Sequence, residues 1–206
     1  MGEVAVPAEI DELIERQWTR LRRGGTWFSA GERTLIAASA RGIPLPDIDT
    51  PAATAAQMIH DEPAHITRDW LAELEANGLT LAEYVEVLGI VSQLRAIDTF
   101  EFGVGRPTRP LPEPTAEGPS PAVVTDATIN GGWVPTVGPA FPPSVLSSVP
   151  AENEAAMEDI HGVLYLAPTA GEGYTMGNMT VVRDGLSRTQ MEFVAARTSL
   201  VNECFF

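Results

Sequence analysis

ANGLTLAEYVEVLGIVSQLRAIDTFEFGVGRP, residues 76–107, decides the fold class of this chain. Asn77-Gly78 is a helix terminator, and two residues later Thr80-Leu-Ala-Glu83 is a capping box, in which the threonine hydroxyl and the glutamate carboxylate each satisfy a backbone amide of the first turn. From there Val85, Leu88, Val91, Leu94 and Ile97 recur at helical spacing, so one long helix runs to about Phe102 and forms the centre of a core. A helix of that length with an apolar stripe must be covered by other helices.

Those helices lie on both sides of it. Upstream, residues 67–76 read as a helix, 51–59 as a shorter one, and Ser29-Ala-Gly-Glu32 as a second capping box whose helix buries Leu35, Ile36, Ala37 and Ala38. Gly42, Pro44 and Pro46 stop it, because proline lacks an amide donor and disfavours helical geometry in the residue before it. The first helix spans 8–23, with Ile10, Leu13, Ile14, Trp18 and Leu21 on one face and Gly24-Gly25 as its stop. Downstream, ten of the 17 prolines fall within 107–143, which predicts an extended connection that Trp133, Val134 and Phe141 pin down. Residues 143–149 and 152–165 read as helical, and 171–184 as a loop with a short strand at 179–182. A last helix starts at Ser187-Arg-Thr-Gln190 and runs to the C-terminus.

Composition bounds the function. A chain of 206 residues, 44% hydrophobic, buries one good core with room for a smaller helical unit. A formal charge of −15 opposes attraction to nucleic acid and to anionic membranes. Arg20, Arg22 and Arg23 sit where cations complement the negative end of the first helix. No apolar run reaches the roughly 20 residues that span a bilayer, and the acidic N-terminus lacks signal-peptide character, so the expected location is the cytoplasm. Cys204 is the one cysteine, so any disulfide must reach another molecule.

The final helix carries the chemistry. In LSRTQMEFVAARTSLVNECFF, residues 186–206, Glu192 precedes Cys204 by twelve residues on one expected helix, which sets a carboxylate and a thiol about three and a third turns apart. A base near a thiol matters because only the thiolate is nucleophilic. A weak repeat links this helix to the second one: Phe28-Ser29 and Leu186-Ser187 precede, at equal spacing, Leu35-Ile36-Ala37-Ala38 and Phe193-Val194-Ala195-Ala196.

Residues 186–206 resemble the active-site helix of AhpD-like proteins, in the carboxymuconolactone decarboxylase and alkylhydroperoxidase-like group. There a glutamate is followed by Asn-x-Cys-x-aromatic-Cys and then a histidine, and Glu192, Asn202, Cys204 and Phe206 occupy the corresponding positions. Residues 143–166 look like the family's lead-in helices and 76–107 like its post-active-site helix pair, so the resemblance covers roughly half the chain. It implies an all-α, AhpD-like helical bundle organised as an N-terminal helix (1–26), a degenerate first repeat (27–106), a Pro/Gly-rich linker (107–142) and a second repeat (143–206) that ends within the active-site motif. In the first repeat Thr34 stands opposite Glu192 and Pro46 opposite Cys204, so that copy is empty.

The resemblance further implies thiol chemistry without a cofactor. Cys204 and Glu192 are the expected catalytic residues and Asn202 a supporting one. The second cysteine would be residue 207, with a histidine beyond it, and the chain ends at Phe206; an external thiol reductant must therefore resolve the oxidised sulfur. The expected substrate is a small peroxide, or a lactone in the decarboxylase branch of the family, and the expected assembly a homo-oligomer. The other class of reading is a noncatalytic helical scaffold. His60 and His65 are separated by Pro63 and do not share a helical face, so no metal site is expected. His161 reads as a partly buried helix residue. Gly103-Val-Gly105 and Gly171-Glu-Gly173 lack the context of a phosphate loop.

Overall fold

Helix-capping chemistry sets the frame of the computed structural model, which describes residues 5–44, 50–141, 144–165, 182–183 and 186–201. The described residues are mostly helical, in the all-α class. They comprise α1 (Ala8–Leu21), α2 (Ala30–Ala40), α3 (Pro51–Asp61), a 3₁₀ turn (Pro63–His65), α4 (Arg68–Ala76), α5 (Leu81–Gly103), α6 (Pro150–Ala155), a π-helix (Ala156–Tyr165) and α7 (Arg188–Val201). Ser29 and Glu32 close the box on α2, and Thr80 and Glu83 the box on α5, where Glu83 N–H donates to Thr80 Oγ1 at 3.2 Å. Thr50 and Thr67 cap α3 and α4, and Ser187 and Gln190 cap α7. None of these described helices is long and apolar enough to cross a membrane.

The core lies between α1, α2, α3 and α5. Ile10, Leu13, Ile14, Trp18 and Leu21 of α1 are all buried, as the spacing predicts, together with Val85, Val91, Leu94 and Ile97 of α5. Each such side chain contributes about 1.5–3 kcal/mol relative to exposure, and together they dominate the stability of the bundle. Leu88 is only half-buried, and on α2 Leu35 is half-buried while Arg33 turns inward beside Ile36 and Ala37.

The proline-rich connection is extended, and its first half is a strap over the ends of α1 and α2. Thr115 N–H donates to Arg22 O, Ser120 N–H to Gly25 O, and Ala30 N–H to Glu117 O. A Cβ at Gly24 would overlap the Gly118 backbone, so the Gly24-Gly25 pair is as much a docking groove as a helix stop. In the second half, Ala127–Thr128 (β1) pairs with Thr136–Val137 (β2) in an antiparallel ribbon. Val134 is buried as expected; Trp133 and Phe141 are exposed and do not anchor the segment.

Two further expectations are corrected. Of residues 143–149, Pro143 lies outside the description and Ser144 to Val149 form successive tight turns, Ser147 N–H donating to Ser144 O and Val149 N–H to Leu146 O, because Pro150 forces a new helix start. Residues 152–165 are not one α-helix: the α turn gives way at Ala156 to a π-helix. Val182–Arg183 (β3) and Leu186–Ser187 (β4) form a minimal hairpin just before α7, and the strand expected at 179–182 lies otherwise outside the described residues.

Candidate functional site

Glu192 stands on the second turn of α7, four residues after Arg188, and the i, i+4 spacing puts the two on one face, where they form an ion pair. Arg188 is buried and its guanidinium lies over the Tyr165 ring, 5.8 Å from the centroid. The Tyr165 hydroxyl is 3.3 Å from both carboxylate oxygens of Glu192 and donates to them. His161, one turn earlier on the π-helix, stacks on Tyr165 with centroids 5.5 Å apart and planes at 29°. Burial holds the His161 imidazole below the ordinary histidine range, the Arg188 charge pushes the same way, and Glu192 opposes both. The neutral imidazole is the form these surroundings favour.

This cluster joins the π-helix to α7. Glu192 lies within α7. Asn202, Cys204 and Phe206 lie outside the described residues. Of the two residues expected to stand opposite Glu192 and Cys204, Thr34 donates its hydroxyl to Ala30 O within α2, and Pro46 lies outside the described residues. Sequence reading left Tyr165 and His161 without a role; their four-residue spacing was the available signal, but it acquires meaning only from a helix whose period the sequence does not announce.

A second polar cluster is buried between α1, α2, α5 and α6. Arg33 Nη1 donates to Glu86 Oε1 at 2.5 Å and to Glu152 Oε1 at 2.7 Å, with the three residues 3%, 0% and 2% exposed. Trp27 N–H donates to the other Glu86 oxygen at 2.6 Å, and Gln93 Nε2 to the other Glu152 oxygen at 2.9 Å. Arg20 reaches Gln17, Gln93 and Ala151 O, which corrects the expectation that it only complements the end of α1: its long stem crosses to the carboxylate buried on α6. Asp159 of the π-helix accepts from Arg16 at 2.6 Å and Gln17 at 2.5 Å.

Three cations thus face three anions, which is why so many charges tolerate burial. Burial nonetheless pushes the Glu86 carboxyl up, with Glu152 adding to the shift and Arg33 and the Trp27 amide resisting it. The two carboxylates favour the Arg33 cation. The space enclosed here, about 20 Å³, is water-sized, so this cluster ties helices together rather than receiving a substrate. A larger cavity of about 220 Å³ is lined by Phe28, Leu35, Ile36 and Leu79 among others, and none of the Glu192 cluster reaches it.

Near α3, His60 Nδ1 is 2.7 Å from Asp61 while its Nε2 is 3.5 Å from Arg95 of α5, and His65 Nδ1 is 2.7 Å from Glu62. Among the described residues no three His, Cys, Asp or Glu side chains gather as metal ligands. No protein-family model, curated protein or solved structure matches this chain.

Proposed function

We propose that this chain is an AhpD-like thiol enzyme that reduces hydroperoxides with electrons from an external thiol. The observation that carries the reading is Glu192: a carboxylate held by Tyr165 and Arg188 near the start of α7, twelve residues before the one cysteine. Glu192 takes the Cys204 proton, and the thiolate sulfur attacks one peroxide oxygen. The O–O bond breaks, the alkoxide takes up a proton and leaves as the alcohol, and Cys204 becomes a sulfenic acid. A thiol of the reductant displaces water to form a mixed disulfide. Its second thiol then releases Cys204 as the thiol and leaves as the disulfide.

The test is thiol alkylation titrated against pH, with peroxide-dependent sulfenic acid scored by mass spectrometry. An apparent pKa well below the ordinary value of roughly 8.5, oxidation by peroxide, and loss of both in Glu192→Gln are the expected results. A thiol inert to peroxide overturns the reading. A noncatalytic scaffold is the second reading, favoured by the exposure of Phe193, Val194, Leu200 and Val201 on α7, an apolar surface suited to association. An inert thiol together with a stable oligomer in sedimentation measurements supports it.

A further inference from the structure

A glutamate with three rotatable bonds and a side chain 36% exposed does not hold one orientation by itself, yet proton transfer requires placement to within about 3 Å. Tyr165 answers that need. Its hydroxyl is equidistant, at 3.3 Å, from the two Glu192 oxygens, so one proton serves either of them. Arg188 grips the same carboxylate from the preceding turn while lying over the Tyr165 ring, and His161 packs on that ring as well. The tyrosine is thus fixed by its ring and acts through its oxygen.

The helix that carries it is built to deliver it. Glu152 and Asp159 anchor α6 and the π-helix to the bundle through Arg33, Gln93, Arg16 and Gln17. Beyond Asp159, six residues of α-helix would turn the chain by about one and two-thirds turns. The wider π turn completes less, and so gives Tyr165 a different azimuth from the one an α-helix would impose. π-Helical turns are rare and concentrate at functional sites.

We propose that Tyr165 is a positioning residue for Glu192, and that the π-helix is the device that brings its hydroxyl to the carboxylate. The proposal rests on the thiol reading of Glu192 and Cys204.

The experiment follows Cys204 alkylation by iodoacetamide against pH in the full chain, for the wild type, Glu192→Gln, Tyr165→Phe and the double variant. Phenylalanine keeps the ring and removes only the hydroxyl. Tyr165→Phe is expected to move the profile in the same direction as Glu192→Gln, slowing alkylation at pH 7 by about three- to tenfold, with the double variant no worse than Glu192→Gln alone. A profile shifted by Glu192→Gln but untouched by Tyr165→Phe overturns the positioning role and leaves the thiol reading standing. So does an additive double variant. If neither substitution moves the profile, both fall together. A measurement that leaves Tyr165 intact guards against a misfolded variant: in an NMR titration of the three histidines, Glu192→Gln is expected to lower the His161 midpoint further, since Glu192 is the group that raises it. An unmoved His161 midpoint overturns the cluster geometry on which the proposal depends.

Discussion

At Arg33, one guanidinium nitrogen serves two carboxylates from two other helices. Removing it leaves two buried anions facing each other, so Arg33→Met is expected to destabilise the protein by about 3–5 kcal/mol, read as a lower urea midpoint. Glu86→Gln in that background is expected to recover part of the loss, because it removes one of the stranded charges. The pH dependence has a definite sign. The folded state raises the Glu86 pKa above its ordinary value near 4.5, so between these limits the native state binds more protons than the unfolded one, and this group's contribution to stability falls as pH rises. The slope is expected to flatten in Glu86→Gln, measured by denaturation at a series of pH values. Asp11 acts oppositely: Arg106 holds its carboxyl low, so its contribution is present above the ordinary aspartate range and is lost on acidification. Neither Arg33 nor Glu86 stood out in the sequence, because helical periodicity sorts charged side chains outward by default. The legible clue was Glu86 itself, a charge inside the run Tyr84-Val85-Glu86-Val87, every member of which is buried.

Elements were more readable than residues. The caps at Ser29, Thr80 and Ser187 are all formed, since each motif is local and its hydrogen bonds close within four residues. The turn at Ser144 and the π-helix at Ala156 were not readable, because an apolar pattern over ten residues fits a period of 3.6 and a slightly longer one equally well. Close helix approach was hidden for a related reason: the sequence shows a glycine in α5 but not what rests on it. A Cβ at Gly89 would come within 3.0 Å of the Glu152 side chain at three atoms. Although alanine favours a helix over glycine by about 1 kcal/mol, Gly89→Ala is therefore expected to destabilise by about 1–3 kcal/mol in thermal melting, through displacement of α6. A gain in stability would mean that α6 yields without cost.

Across the molecule, α6 and the π-helix are held to the bundle by charge as well as by the apolar contacts of Ala156, Ile160, Val163 and Leu164. The Arg33–Glu152 pair and the Arg16 and Gln17 grip on Asp159 join α6 and the π-helix to α1, α2 and α5. Asp159→Ala is expected to speed amide hydrogen exchange in 150–165 while leaving α5 protected, and uniform acceleration would show instead that the anchor supports the whole fold. The candidate site was legible only in part, since Glu192 follows from a spacing along one helix, whereas Tyr165 and His161 reach it from another part of the chain. The wide helix behind them has a consequence for how the protein tolerates length change. Both anchors precede residue 160, so deleting one residue between 160 and 164 changes the rotation at which Tyr165 emerges and, with it, the packing of Ile160, Val163 and Leu164 against the edge of the core. An insertion or deletion there retunes the Glu192 cluster at the cost of contacts at one edge of the bundle, whereas the same change inside α5 would shift every layer of the core at once.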